Sequence, residues 1–189
     1  MYIAAKGEQG MMRKRKGYVE IGFIYIVVIS ISILTVITLT TAAILDTYSR
    51  NTLKTELREL AIEISDACQE AIEFGLQHPD GSFKRIITPP EAMTYKYIVI
   101  VTSQYVYILK GGWEKELKTL VSGYIENTVT ASEVHDHITK NITREIKIRE
   151  SINNKGGIVV KGYFTSGIKT CTITYENGCI TLQQEKIKI

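Results

Sequence analysis

The chain is short of cysteine, proline and histidine, and each shortage excludes something. Three cysteines in 189 residues, Cys68, Cys171 and Cys179, are too few for a disulfide framework. The three prolines, Pro79, Pro89 and Pro90, leave residues 18–78 without one, so nothing there forces a helix to break. Of three histidines, only His135 and His137 are close in sequence. On a strand those two would share a face and could hold zinc with a third ligand. No third ligand is identifiable, so the segment reads as a solvated loop. Gly-x-Ser-x-Gly, a phosphate-binding loop and a dinucleotide fingerprint are all missing. The expectation is a protein without catalytic residues, metal or cofactor.

An excess of one charge sign is missing from most of the chain. The net charge is +3. Residues 1–45 hold Lys6, Arg13, Lys14, Arg15 and Lys16 against Glu8 and Glu20, which accounts for all of it. Residues 46–189 carry 18 basic and 18 acidic side chains. The globular part therefore has no basic excess to attract nucleic acid.

The longest absence is of charge altogether. From Ile21 to Leu45 there are 25 consecutive uncharged residues. As a helix they would be about 37 Å long, against about 30 Å of bilayer hydrocarbon. The run is rich in Ile, Val and Thr, which favour strand in water, but in lipid only a helix satisfies its own backbone. Ser30, Ser32, Thr35, Thr38, Thr40 and Thr41 are tolerable in such a span and could bond to neighbouring helices. A buried core helix is rarely uncharged for so long. A cleaved secretory signal would have a shorter apolar region, although Thr41-Ala42-Ala43 supplies a small-residue site. Arg13, Lys14, Arg15 and Lys16 precede the run, and Asp46 follows it. The positive-inside rule puts the N-terminus in the cytoplasm and the C-terminal domain outside a cell membrane crossed once.

Past the span, Leu53, Leu57, Leu60, Ile64, Ala67 and Ala71 recur at spacings of four and three. Charged residues fill the other faces. This is an amphipathic stripe. Gly75 and Pro79-Asp80-Gly81 supply a stop, so one helix over 18–78 is expected, with its transmembrane segment at 21–45. From Phe83 the period changes to two. Strands are expected at Tyr95–Val101, Tyr105–Leu109, Ile142–Arg149, Gly157–Phe164, Lys169–Tyr175 and Ile180–Ile187. Thr102–Gln104 joins the first pair, and residues 153–157 form a turn. Trp113–Thr130 is ambiguous: Leu117, Leu120, Val121 and Ile125 suggest a helical turn or two, then a strand. Asn177-Gly178 is a two-residue hairpin signal. It sets Glu176 opposite Cys179, Tyr175 opposite Ile180 and Ile173 opposite Leu182. Cys171 and Cys179 then lie on opposite faces, too far apart for a disulfide. The fold class is α+β: a long N-terminal helix packed on an antiparallel sheet or sandwich occupying 83–189.

The order Arg15-Lys16-Gly17, then Tyr18-Val19-Glu20, then the apolar run resembles the class III leader of type IV pilins, in particular archaeal ones. The resemblance covers about 30 residues. It implies a basic leader over 1–17, cut by a prepilin peptidase between Gly17 and Tyr18, with the apolar helix retained. The bacterial pattern has a glutamate at the fifth mature position, whereas Glu20 would be third. Met11 and Met12 stand just before the basic cluster, and a start there gives a leader of typical pilin length. Pro89-Pro90 followed by a strand and its hairpin partner also resembles small archaeal pilin-like proteins. The implied role is a structural subunit of an archaeal type IV pilus or related surface assembly, with membrane lipid and other pilin-like subunits as partners. The alternative is an uncleaved, membrane-anchored binding or adhesion module. Asn141-Ile142-Thr143 is a glycosylation triplet, with Asn141 as the acceptor if it lies outside the cell.

Overall fold

The computed structural model describes residues 5–90, 96–111, 115–142 and 146–186, and side chains from Ile21 onward except that of Lys186. The chain divides into two units, Met1–Asn51 and Thr52–Ile189, and the first helix contributes to both. That helix, α1, runs Ala5–Gln77, so it begins before the expected 18–78 and takes in residues 5–17 as well. It ends where expected: His78 N donates to Phe74 O (2.8 Å), and Pro79 cannot continue the ladder.

In the second unit, all six residues of the predicted stripe are buried, from Leu53 to Ala71. Each buried leucine or isoleucine contributes about 1.5–3 kcal/mol. The stripe packs on a single seven-stranded sheet in the order β1-β6-β7-β5-β2-β3-β4. The strands are β1 Phe83–Ile87, β2 Tyr97–Val101, β3 Tyr105–Lys110, β4 Lys147–Ser151, β5 Val159–Thr165, β6 Ile168–Glu176 and β7 Cys179–Lys186. The α+β class is as expected. The sheet is not a sandwich, and it contains one parallel pair, β5 with β7.

The sheet curls round α1. Its two edges lie six strand spacings apart, about 29 Å if flat. Yet Arg85 of β1 bonds Glu70, while Ser65 Oγ donates to Ser151 O of β4 at 2.9 Å. Residues 65 and 70 are only about 7.5 Å apart along the helix. Only a curved sheet brings both edges to so short a piece of helix.

Two further helices were not anticipated as such. Lys115–Ile125 forms α2, longer than the turn or two expected, and no strand follows it. Ala131–Asn141 forms α3, which replaces the predicted loop at His135–His137. Of the strand predicted at 142–149, Ile142 is the C-cap of α3, residues 143–145 lie outside the described residues, and β4 covers the rest from Lys147. A capping box explains the start of α3. Thr130 Oγ1 accepts from Glu133 N (3.3 Å), and the Glu133 carboxylate accepts from Thr130 N (2.7 Å). The donation from Thr130 N, with a second from Thr130 Oγ1 (2.9 Å), holds the Glu133 carboxyl below its usual range.

Both helices cover the face of β5-β2-β3-β4 opposite α1. Tyr97, Val99 and Val101 join the α1 core, while Ile98 and Ile100 join a second core with Leu117, Val121, Val134 and Ile138. A strand covered on both faces reads as an unbroken apolar run, which is why Tyr97–Val101 shows no polar alternation.

The Asn177-Gly178 hairpin has the predicted register: Glu176 opposite Cys179, Tyr175 opposite Ile180, Ile173 opposite Leu182. Both turn residues have positive φ, 51° and 77°, as a type I′ turn requires. Tyr175 then reaches the end of α1, where its hydroxyl donates to Pro79 O (3.1 Å) and lies 3.4 Å from Gly75 O. A Cβ at Gly75 would sit 2.4 Å from the Tyr175 ring. Gly75→Ala is therefore expected to destabilise the domain by about 1–3 kcal/mol, overriding the gain of up to about 1 kcal/mol that alanine brings to a helix. A denaturant midpoint that rises in this variant would refute the close packing.

Candidate functional site

The feature that sets this chain apart is the surface of α1 before residue 50. Every large apolar side chain from Ile21 to Tyr48 is exposed, from 37% at Val27 to 71% at Tyr48. Among the described residues, this is the one helix long and apolar enough to cross a membrane. Four of its hydroxyls are turned back on its own backbone. Ser32 Oγ donates to Val28 O, Thr35 Oγ1 to Ile31 O and Thr38 Oγ1 to Leu34 O, each at 2.8 Å. Thr40 Oγ1 donates to Val36 O at 2.9 Å. Each bond meets the hydroxyl's need for a partner without a second helix or water. Directly after the uncharged run, Asp46 and Arg50 pair across one turn at 2.9 Å. Exposed charge resumes there.

The predicted leader residues, Arg13, Lys14, Arg15, Lys16, Gly17, Tyr18 and Glu20, fall within α1 but outside the described side chains. Asn141 is exposed at the last position of α3, with its amide 3.3 Å from His137 Nδ1. Thr143 of the same triplet lies outside the described residues.

The two histidines diverge, because successive odd positions on a helix point about 200° apart. His137 faces Asn141. His135 turns to the sheet, where its Nδ1 lies 2.6 Å from Tyr107 Oη and its ring stacks on Tyr105 at 5.1 Å. Arg149 covers the Tyr105 ring at 4.9 Å. Burial pushes the Tyr107 phenol upward, so it stays protonated. The strand-based zinc geometry is thus removed, and among the described residues no three acidic, histidine or cysteine side chains converge on a metal position. Sequence reasoning missed this aromatic group because it depends on α3 being a helix.

A groove of about 210 Å³ is lined by Glu56, Glu59, Glu63, Leu60, Thr88 and Pro90. Glu56 Oε2 is buried there without a hydrogen-bond partner among the described residues. No family model, curated protein or solved structure matches this chain.

Proposed function

We propose that the chain is a pilin-like structural subunit of an archaeal type IV pilus or related cell-surface assembly, held in the membrane by the first half of α1. The N-terminus faces the cytoplasm, on the side of Arg13–Lys16, and the sheet domain lies outside. A prepilin peptidase removes residues 1–17. The exposed apolar helix stays in lipid until it bundles with the same helix of other subunits. Glycosylation of Asn141 is compatible with this placement.

One observation carries the reading: a single helix exposes an uncharged surface over Ile21–Leu45 and buries an apolar stripe from Leu53 onward. Internally satisfied hydroxyls support it, since such a helix can reside in lipid alone or pack against apolar neighbours. The order Arg15-Lys16-Gly17 before the span supports processing.

The deciding measurement is the N-terminal mass of the protein from its own membranes. The mature chain is expected to begin at Tyr18, and Gly17→Val is expected to leave the leader attached. An intact basic leader on the native protein would sink the pilin reading and leave an anchored binding or adhesion module.

A further inference from the structure

Cys68 and Cys171 belong to different elements, α1 and β6, yet both are fully buried in the same core. Two neighbouring contacts fix how these elements align. Gly75 of α1 meets Tyr175 of β6. Glu70 meets Arg85, which pairs with Ile173 of β6. The helix and the strand therefore run in the same sense. Cys68 is seven residues before Gly75, two turns back and within about 20° of the same helix face. Cys171 is four residues before Tyr175 and on the same strand face. The steps back are about 10 Å along the helix and about 13 Å along the strand, so the two cysteines stay nearly level. Burial raises each thiol to about 12, and the nearby Cys171 adds to the rise at Cys68. Gly75 lets the helix approach Tyr175 of β6 closely, and the small Ala67 and Ala71 are buried in the same core.

We propose that Cys68 and Cys171, free thiols in this structure, are joined by a disulfide that staples the helix to the sheet when the domain folds outside the cytoplasm. The proposal rests on the outward placement of the domain given above. Both sulfurs are sealed once the domain is folded, so the bond forms before α1 finishes docking. The oxidant is a protein or small-molecule disulfide. One cysteine thiolate attacks a sulfur of that disulfide and releases one thiolate. The second cysteine thiolate then attacks the mixed disulfide and releases the other. The pair loses two protons and two electrons, and the oxidant becomes two thiols. Cys179, half-buried on the opposite face of the hairpin, remains a free thiol.

The test uses the full chain, extracted from its own membranes in detergent with immediate alkylation. Peptide mapping without reductant is expected to find Cys68 linked to Cys171 and Cys179 alkylated. A second arm reduces and unfolds the full chain, then refolds it with oxidised and reduced glutathione. The same link is expected there. Its absence in this arm, with both thiols alkylated, overturns the proposed pairing. A link that forms on refolding but is absent from the native protein supports the pairing and refutes the outward placement instead. Closing a loop of about 100 residues is expected to raise the melting temperature by about 10 °C, lost on reduction. Cys68→Ala should melt at one temperature with or without reductant. A wild-type protein equally indifferent to reductant contradicts the staple.

Discussion

Replacing Ile33 and Ile37 together by arginine is expected to release the chain from membranes. Both lie near the middle of the 25-residue uncharged run, one turn apart, and each is 55% exposed. An arginine at the centre of a span costs about 2.5–3.5 kcal/mol on insertion, so the pair costs about 5–7 kcal/mol. That outweighs the gain from several of the remaining aliphatic side chains, each worth about 0.3–0.6 kcal/mol on the same scale. Carbonate extraction followed by sedimentation measures the outcome. Wild type should stay in the pellet, the double arginine variant should leave it, and the Ile33→Leu control should behave as wild type. If the arginine variant sediments unchanged, this helix is not the anchor.

Ile64→Asp is expected to unfold the sheet domain, while Ile62→Asp, two residues away, changes stability by no more than about 0.5 kcal/mol. Ile64 is fully buried against the sheet, whereas Ile62 is 41% exposed on another face of α1. Aspartate at 64 loses the burial of an isoleucine and strands a carboxylate without a partner, together at least about 4 kcal/mol. A domain of this size has about 5–15 kcal/mol in total. Limited proteolysis and denaturant midpoints compare the pair in detergent. Equal effects at 62 and 64 would mean that the stripe does not face the sheet.

Local patterns in the sequence carried far in some segments and little in others. The α1 stripe was legible because a fixed 3.6-residue period selects one face, and all six of its residues are buried. The β6–β7 register was legible because Asn-Gly admits a turn with two positive φ values, and that turn dictates every pairing behind it. Helix α3 was not. His135-Asp136-His137 sits in a polar stretch with only Val134 and Ile138 buried, so its apolar face is too narrow to announce a period. What marks it is the Thr130–Glu133 capping box, a signal of two residues. Strand β1 also escaped identification as a strand. Its edge position leaves Lys84 and Ile86 exposed, and the polar alternation is short.

The sequence by itself determined the uncharged span, the basic flank, the buried stripe and the hairpin turn. Each of these rests on residues within a few turns of one another, where covalent geometry sets the spacing. Only the tertiary structure decided the strand order, the parallel β5–β7 contact, the curl of the sheet round α1 and the second core beneath α2 and α3. It also placed Cys68 and Cys171 in one core, because residues 103 positions apart come together only through packing. Such contacts depend on which apolar faces bury each other, and many pairings of similar strands satisfy the same local pattern.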